Sequence, residues 1–237
     1  MTQIPQATSW SFSKLKDFGK CKLMYKIKHI DRVPEPERPL PPGRLEHAND
    51  RGSRIHDSAE QFVRGKAAFI PELTKFKPEF EHLKHLFGHG KVVMEQEWGH
   101  DKNWDVAPWK SAWLRLKLDI MVHASETEAV VVDIKTGKKF GNEVTHAQQL
   151  QLYALTAFLR FPKLEIVHAE NWYTDVDDIT LNTFTRSQSL RFMRSFDTQG
   201  NAITNCLDWP ANPNQFSCRW CPYGPDGTGH CAVGVRK

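Results

Sequence analysis

Two neighbouring apolar segments of this chain carry acidic residues near their ends, and this pattern limits the fold more than any other feature. Residues 114–120 alternate leucine or isoleucine with charged residues, the last of which is Asp119. This period of two is typical of a half-buried strand. Residues 129–135 are apolar and β-branched until Asp133, which predicts a central strand. The polar residues 125–128 favour a hairpin turn, which would bring Asp119 and Asp133 close together.

Two carboxylates that face each other repel unless a positive charge lies between them. Mg²⁺ and Mn²⁺ prefer oxygen ligands, keep several bound waters and stabilise charge that develops on a phosphate, so either ion would suit Asp119 and Asp133. Lys135 lies two residues after Asp133 and therefore on the same face of the strand. Its ammonium would orient the attacking water or stabilise the transition state. On these residues alone, the alternative is an ordinary Asp–Lys salt bridge at a strand end.

Four further motifs flank Asp119 and Asp133-Ile134-Lys135 in a defined order. They are residues 11–25, Gly52 to His56, Gln149 to Tyr153 and a carboxy-terminal group of cysteines. In this order the motifs resemble those of the PD-(D/E)XK nucleases, specifically the RecB-type exonuclease branch with its CRISPR-associated and AddB-like iron–sulfur members. The resemblance spans nearly the whole chain. It implies an α/β fold with a central mixed sheet flanked by helices and with the chain ends clamped by the cysteine cluster.

The resemblance implies a role for each matching residue in metal binding and catalysis. The expected metal ligands are His56, Asp119, Asp133 and the backbone carbonyl of Ile134. The expected catalytic residues are Asp119, Asp133, Lys135 and Glu97. Glu97 would be an auxiliary ligand, because the family often has a carboxylate on the preceding strand; the alternative is an ordinary surface glutamate.

Gln149 and Tyr153 are expected to contact DNA near the scissile phosphate, since they match the branch's Gln-x-x-x-Tyr helix. Lys138 follows the catalytic Lys135 closely and would also contact phosphate. The alternative for Lys138 is a solvent-exposed loop residue.

The cysteines require a separate interpretation. Cys218 and Cys221 form a Cys-x-x-Cys pair, Cys231 follows ten residues later, and Cys21 lies far upstream. In a chain without a secretion signal, a metal is a better use for such a set than disulfides, and four thiolates suit either a [4Fe–4S] cluster or zinc. The resemblance favours iron–sulfur. The rivals are a zinc site in which His230 or Cys206 replaces Cys21, and a Cys21 that is only a buried apolar thiol.

Composition sets the remaining bounds. The chain has 237 residues, 40% of them hydrophobic, and we expect a single nuclease domain over 1–237. Within it we expect a basic helix and proline-rich connection at 1–50, the nuclease core at 51–200 and the cysteine segment at 201–237. The formal charge of +4 is mildly basic. Without a signal region or a membrane-spanning run, we expect a cytoplasmic protein that does not bind membranes.

The first helix, predicted over about 13–28, is rich in lysine. Its lysines are Lys14, Lys16, Lys20, Lys22, Lys26 and Lys28. Such a run is either solvated surface or a track for phosphates. Further helices are predicted around His56 and over about 73–87, 144–159 and 188–196, and further strands over about 91–98, 164–173 and 179–185.

The expected function is therefore a Mg²⁺- or Mn²⁺-dependent DNA exonuclease. It would act beside recombination, helicase, repair or CRISPR adaptation proteins, and a phage or another mobile element would be a typical source. The alternatives are a site-specific or structure-specific endonuclease and a non-catalytic module that binds DNA ends around a structural metal cluster.

Overall fold

A mixed five-stranded sheet forms the centre of the computed structural model, which describes residues 6–137 and 139–236. Its strands are β1 (Val92–His100), β2 (Leu114–His123), β3 (Glu128–Lys135), β4 (Ile166–Tyr173) and β5 (Asp178–Thr185). They lie side by side in chain order, and only β3 and β4 are parallel. A parallel pair needs a long crossover connection, which is supplied by the helix between β3 and β4. The predicted α/β fold with a mixed sheet is confirmed.

Helices cover both faces of this sheet. They are α1 (Phe12–Lys20), α2 (Lys22–Tyr25), α3 (Ala48–Val63), α4 (Lys77–Gly88), α5 (Glu143–Arg160), α6 (Arg186–Thr204) and α7 (Gln215–Cys218). A π-helical turn at Lys26–Ile30 extends α2, and a 3₁₀-helix at Pro71–Phe76 leads into α4. No helix in the described part of the chain is long and apolar enough to cross a lipid bilayer.

Each face of the sheet has its own hydrophobic core. Residues of α1, α2, α5 and α6 pack on one face, which we call the α5 face, and residues of α3, the 3₁₀-helix and α4 pack on the other, the α3 face. Trp98, Trp104 and Trp113 are all buried on the α5 side, so core packing is their main role. Burial of both faces explains why β3 is apolar along most of its length.

The hairpin of β1 and β2 is distorted at one point. Leu118 packs in the core of the α5 face, whereas Ile120, two residues later on the same strand, packs in the core of the α3 face. Residues two apart in a regular strand share a face, so the side chains change sides around Asp119. The opposite position on β1 is Glu95, whose φ of +52° is in the left-handed region that a non-glycine residue seldom adopts.

The first predicted helix is interrupted. Cys21 has extended backbone angles, ends α1 and precedes α2, so the helix expected over 13–28 becomes two helices and a π-helical turn. The helix expected over 188–196 is longer and begins at Arg186, where Thr185 and Gln188 form a reciprocal capping box.

Candidate active site

Asp119 and Asp133 lie opposite each other on the paired strands β2 and β3. The register pairs Ile120 with Val132, which places the two aspartates at the next position of the hairpin. Both carboxylates are buried. The backbone N–H of Ile134 donates to Asp119 Oδ2 over 2.7 Å and so holds this carboxylate in one orientation. The predicted meeting of the two aspartates is therefore present in the fold.

His56 and Glu95 meet Asp119 on the α3 side of this pair. His56 Nδ1 is 3.3 Å from Asp119 Oδ1 and 3.7 Å from Glu95 Oε1. The three ligand atoms lie within 4.8 Å of one another, and elsewhere among the described residues no three histidine, cysteine or acidic ligand atoms come this close. An imidazole with two carboxylates is a donor set that suits a divalent cation.

The position of His56 depends on a close approach of α3 to the end of β3. A Cβ atom placed on Gly52, one turn before His56, would lie 3.2 Å from Thr136 Oγ1. Arg51 donates to the carbonyl of Thr136 over 3.0 Å and also pairs with Asp175. The small residue and the arginine thus bring α3 against the strand end that carries the acidic residues.

Charges within the site compensate one another. Burial lowers the pKa of His56, but hydrogen bonds with Asp119 and Glu95 outweigh it and raise this pKa to about 10. Burial raises the pKa of Glu95, but His56 and Lys117 together bring it below its ordinary value, so Glu95 stays ionised. Without a metal, a protonated His56 therefore neutralises part of the carboxylate charge.

Asp133 is paired with Lys135 instead. Burial raises the pKa of Asp133 to about 6, although the ammonium of Lys135, which contacts its carboxylate, opposes this shift. Asp133 thus accepts a proton more readily than an ordinary aspartate, and its charge depends on Lys135.

A hydrogen-bonded chain connects Lys135 to α5. Lys135 Nζ donates to Gln149 Oε1 over 2.9 Å, and Gln149 Nε2 donates to the Tyr153 hydroxyl over 2.8 Å. The hydroxyl in turn donates to the carbonyl of Lys117 on β2 over 3.0 Å. Burial raises the pKa of Tyr153 well above its ordinary value, so the phenol keeps its proton. Together these contacts hold the Lys135 ammonium beside Asp133.

The sequence model of the PD-(D/E)XK nuclease superfamily matches residues 9–225, which include every residue of this site. The chain belongs to the PD-(D/E)XK nuclease superfamily. No curated protein sequence matches it.

Solved structures provide a distant comparison for this superfamily member. A protein from Eubacterium rectale assigned as an exonuclease is 13% identical with a TM-score of 0.49, and the match covers 97% of this chain and 90% of that one. An alkaline exonuclease from Laribacter hongkongensis is 12% identical with a TM-score of 0.35, and the match covers 85% of this chain and 89% of that one. Likenesses at this level carry no argument about the function of this superfamily member.

The expectation for Glu97 is corrected. Its side chain is exposed, and the carboxylate that joins His56 and Asp119 in this nuclease-superfamily site is Glu95. Glu95 and Glu97 are two residues apart, so in a regular strand their side chains would lie on the same face of β1. The alternation of side chains therefore cannot show which of the two glutamates joins the site. The left-handed backbone at Glu95 and the change of face around Asp119 determine that Glu95 is the glutamate that joins the site. Such strain costs about 1–3 kcal/mol and is concentrated at functional sites.

The two expected DNA contacts on α5 lie in different surroundings. Gln149 is half-buried and reaches both Lys135 and Asp133. The side chain of Tyr153 is only 5% exposed, and its hydroxyl is already bonded to Gln149 and Lys117, so this geometry suits it to position Gln149 rather than to contact DNA. Lys138 lies outside the described residues.

Further residues surround Lys135 that the sequence did not single out for the site. His146 Nδ1 lies 2.9 Å from the hydroxyl of Tyr173, and Tyr173 is the register partner of Lys135 on β4. Burial and the nearby ammonium groups of Lys135 and Lys16 lower the pKa of His146 to about 4, so His146 is neutral. The helical spacing of His146 and Gln149 was a signal in the sequence, because both project from one face of α5.

Four cysteines lie together at the carboxy-terminal end of α1. Cys21, Cys218, Cys221 and Cys231 all line one small cavity of about 30 Å³. Burial raises the pKa of the Cys221 thiol, and its three cysteine neighbours raise it further. Backbone N–H groups of Asn212 and Asn214 each lie 3.4 Å from a cysteine sulfur, those of Cys21 and Cys218.

The rival zinc set does not share this cavity. Cys206 is buried in the α5-face core and directs its thiol to the carbonyl of Asp208. His230 is exposed and bonds to Thr228. In this superfamily member, therefore, Cys21 is the residue that joins the carboxy-terminal cysteines, and the break in the helix at Cys21 is part of that arrangement.

Proposed function

We propose that the protein is a metal-dependent DNA exonuclease that hydrolyses phosphodiester bonds. The observation that carries this proposal is the convergence of His56, Glu95 and Asp119 within 4.8 Å beside the Asp133–Lys135 pair. Membership of the nuclease superfamily supports the reaction class. The exonucleolytic mode and the DNA substrate rest on the order of the sequence motifs.

The residues present fit a divalent cation. In the metal-free protein, a protonated His56 provides the positive charge between Glu95 and Asp119, and a bound cation would take over this role as His56 loses its proton. The proposed ligands are His56, Asp119, Asp133, the carbonyl of Ile134 and Glu95. When bound, Mg²⁺ or Mn²⁺ would supply an activated water and neutralise charge on the phosphate.

The protein's own groups prepare the site for this chemistry. Lys135 supplies an ammonium that would stabilise the negative charge developing on the phosphate or orient the attacking water. Gln149 holds this ammonium and also donates to Asp133 over 3.3 Å, while Tyr153 holds Gln149. Because the Asp119 carboxylate is anchored by the Ile134 N–H, its other oxygen remains directed at His56.

We propose that the four cysteines bind a [4Fe–4S] cluster that joins the end of α1 to the carboxy-terminal segment. Four thiols around one mainly apolar cavity, with N–H groups near two of the sulfurs, support such a site. Four thiolates would also suit a tetrahedral zinc ion, and the resemblance of the sequence motifs favours the iron–sulfur cluster.

The nuclease is proposed to work with recombination, helicase, repair or CRISPR adaptation proteins, as the motif resemblance implies. Lys16 of α1 is exposed, and desolvation together with the charge of Lys135 lowers its pKa, which supports a path for phosphates that leads towards the site.

The deciding experiment measures nucleotide release from end-labelled linear DNA with Mn²⁺, with closed circular DNA assayed in parallel. The wild-type protein should release nucleotides from linear DNA alone, and Lys135→Ala should abolish the release. Lys163→Ala is the matched control, because Lys163 is an exposed lysine paired with the exposed Glu126. Cleavage of circular DNA would support an endonuclease instead. Binding to DNA ends without cleavage under any divalent metal would support a non-catalytic module.

The cluster is tested by purification without oxygen, followed by iron and zinc analysis and an absorption spectrum. About four irons per chain with a brown colour would support the [4Fe–4S] proposal. One zinc and a colourless protein would refute it and leave the nuclease proposal untouched.

A further inference from the structure

The turn between β3 and α5 and the start of α5 each expose one apolar side chain. Phe140 is 80% exposed and Val144 is 74% exposed, although most other aromatic residues of the chain are buried. A single exposed apolar residue is common on protein surfaces. Here two of them are four residues apart and flank Gly141, whose positive φ of 84° forms the turn.

This turn lies next to the active site. Lys139 in this turn places its ammonium over the ring of Tyr173, 5.5 Å from the ring centroid, and pairs with Asp178. Tyr173 is the register partner of Lys135 and contacts His146 on the first turns of α5. Phe140, directly after Lys139, therefore lies where the strand that ends in Lys135 passes into the helix that carries Gln149.

Three lysines lie near this turn. Lys135 and Lys139 come from the β3 side, and Lys16 comes from α1, where its side chain is exposed and where desolvation and the charge of Lys135 lower its pKa. Ammonium groups suit the phosphates of a nucleic acid, and an exposed ring beside them suits the face of a base. The rings of Trp98 and Trp113 are buried, so these side chains cannot supply that face.

We propose that Phe140 stacks on an unpaired base of the DNA strand whose phosphate enters the active site. This inference rests on the proposed nuclease function and specifies its substrate. The preferred substrate is then a single-stranded end, or a duplex end with an unpaired overhang, because a base within a duplex is stacked on its neighbours and has no free face. Stacking on an aromatic ring is tolerant of base identity, so little sequence preference is expected.

The test measures DNA binding by fluorescence anisotropy in EDTA, where no metal-dependent hydrolysis occurs. The probes are a single-stranded oligonucleotide, the same strand with abasic sites at its terminal nucleotides, and a blunt duplex. Loss of a single stacking contact should weaken binding of Phe140→Ala to the single strand about 5-fold to 100-fold. Phe140→Trp should retain wild-type binding. Phe216→Ala is the matched control, because Phe216 is 90% exposed but belongs to α7.

The abasic probe separates stacking from a general effect of the substitution. Wild-type protein and Phe216→Ala should bind the abasic strand more weakly than the intact one, whereas Phe140→Ala should bind the two almost equally. An undiminished preference for intact bases in Phe140→Ala would refute the inference even if the nuclease proposal holds. Stacking that depends on Phe140 in a protein that cleaves no DNA would refute the nuclease proposal alone. Absence of DNA binding in every variant would refute both.

Discussion

The active site and the cysteine cavity differ in how their charges are balanced before any metal binds. In the active site, His56, Lys117 and Lys135 already neutralise the buried carboxylates, and hydrogen bonds connect three strands to α5. The cysteine cavity is lined by thiols, and backbone N–H groups of Asn212, Asn214 and Tyr223 donate to three of their sulfurs. The surrounding segment contains only the four-residue helix α7. From this difference we expect the nuclease core to fold without a metal, whereas the chain ends should depend on the metal proposed for the cysteines.

The largest effect is expected for Lys135→Ala. Removing the ammonium should lower the cleavage rate by about 100-fold to 1,000-fold, since the loss of one group that stabilises transition-state charge has this magnitude. Nucleotide release from end-labelled DNA at saturating Mn²⁺ measures it. If Lys135→Ala retained more than half of the wild-type rate, the assignment of the catalytic group would be refuted.

Substitutions in the cysteine cavity should lower the stability of the protein and leave the chemical step of cleavage unchanged. Cys218→Ser should lose the bound metal and lower the melting temperature by about 10 °C or more, because metal binding contributes to folding of such sites and one kcal/mol corresponds to roughly 2–4 °C for a chain of this size. Thermal unfolding monitored with metal analysis measures both. Cys206→Ser is the control, since its thiol donates to the Asp208 carbonyl, a contact that serine can keep. Equal losses in the two variants would contradict the proposed dependence on the cluster.

Glu95 and Glu97 provide a matched pair within one strand. Glu95→Gln should weaken Mn²⁺ binding at least tenfold, because a neutral amide replaces a carboxylate of the group with His56 and Asp119. Glu97→Gln should leave Mn²⁺ binding unchanged, since Glu97 is exposed. Isothermal titration with Mn²⁺ measures both affinities. The opposite ranking would restore Glu97 as the ligand and refute the role of the distorted backbone.

A smaller effect is expected on the pH dependence of stability. The folded-state pKa of His56 is about 10, above its ordinary value of 6.5, so its stabilising charge is present below about pH 6.5 and is lost as pH rises through 10. In EDTA, the melting temperature of the wild-type protein should therefore fall further than that of His56→Gln between pH 7 and 10. With saturating Mn²⁺ this difference should disappear, because the metal replaces the proton. A difference that persists with Mn²⁺ would argue against His56 as a ligand.

Much of the fold and of the site could be predicted from the sequence because the signals were local. The alternation in 114–120 and the β-branched run in 129–135 predicted two paired strands, and the short turn between them left one register that aligns Asp119 with Asp133. The same reasoning selected Glu97 wrongly, because Glu95 and Glu97 are two residues apart and the alternation of a strand gives both the same face. Tyr153 was expected at the DNA, but the packing of α5 against the sheet buries it.

The sequence by itself determined the α/β fold class, the pair of aspartates with Lys135 and the set of cysteines available for a metal. These depend on side-chain period and on residue type, which are properties of short segments. Only the tertiary structure decided that Glu95 joins His56, that Cys21 completes the carboxy-terminal cysteines and that Phe140 remains exposed beside the site. Each of these outcomes depends on how distant segments pack on the two faces of one sheet, since that packing determines where a strand is distorted, where a helix breaks and which side chains stay in solvent.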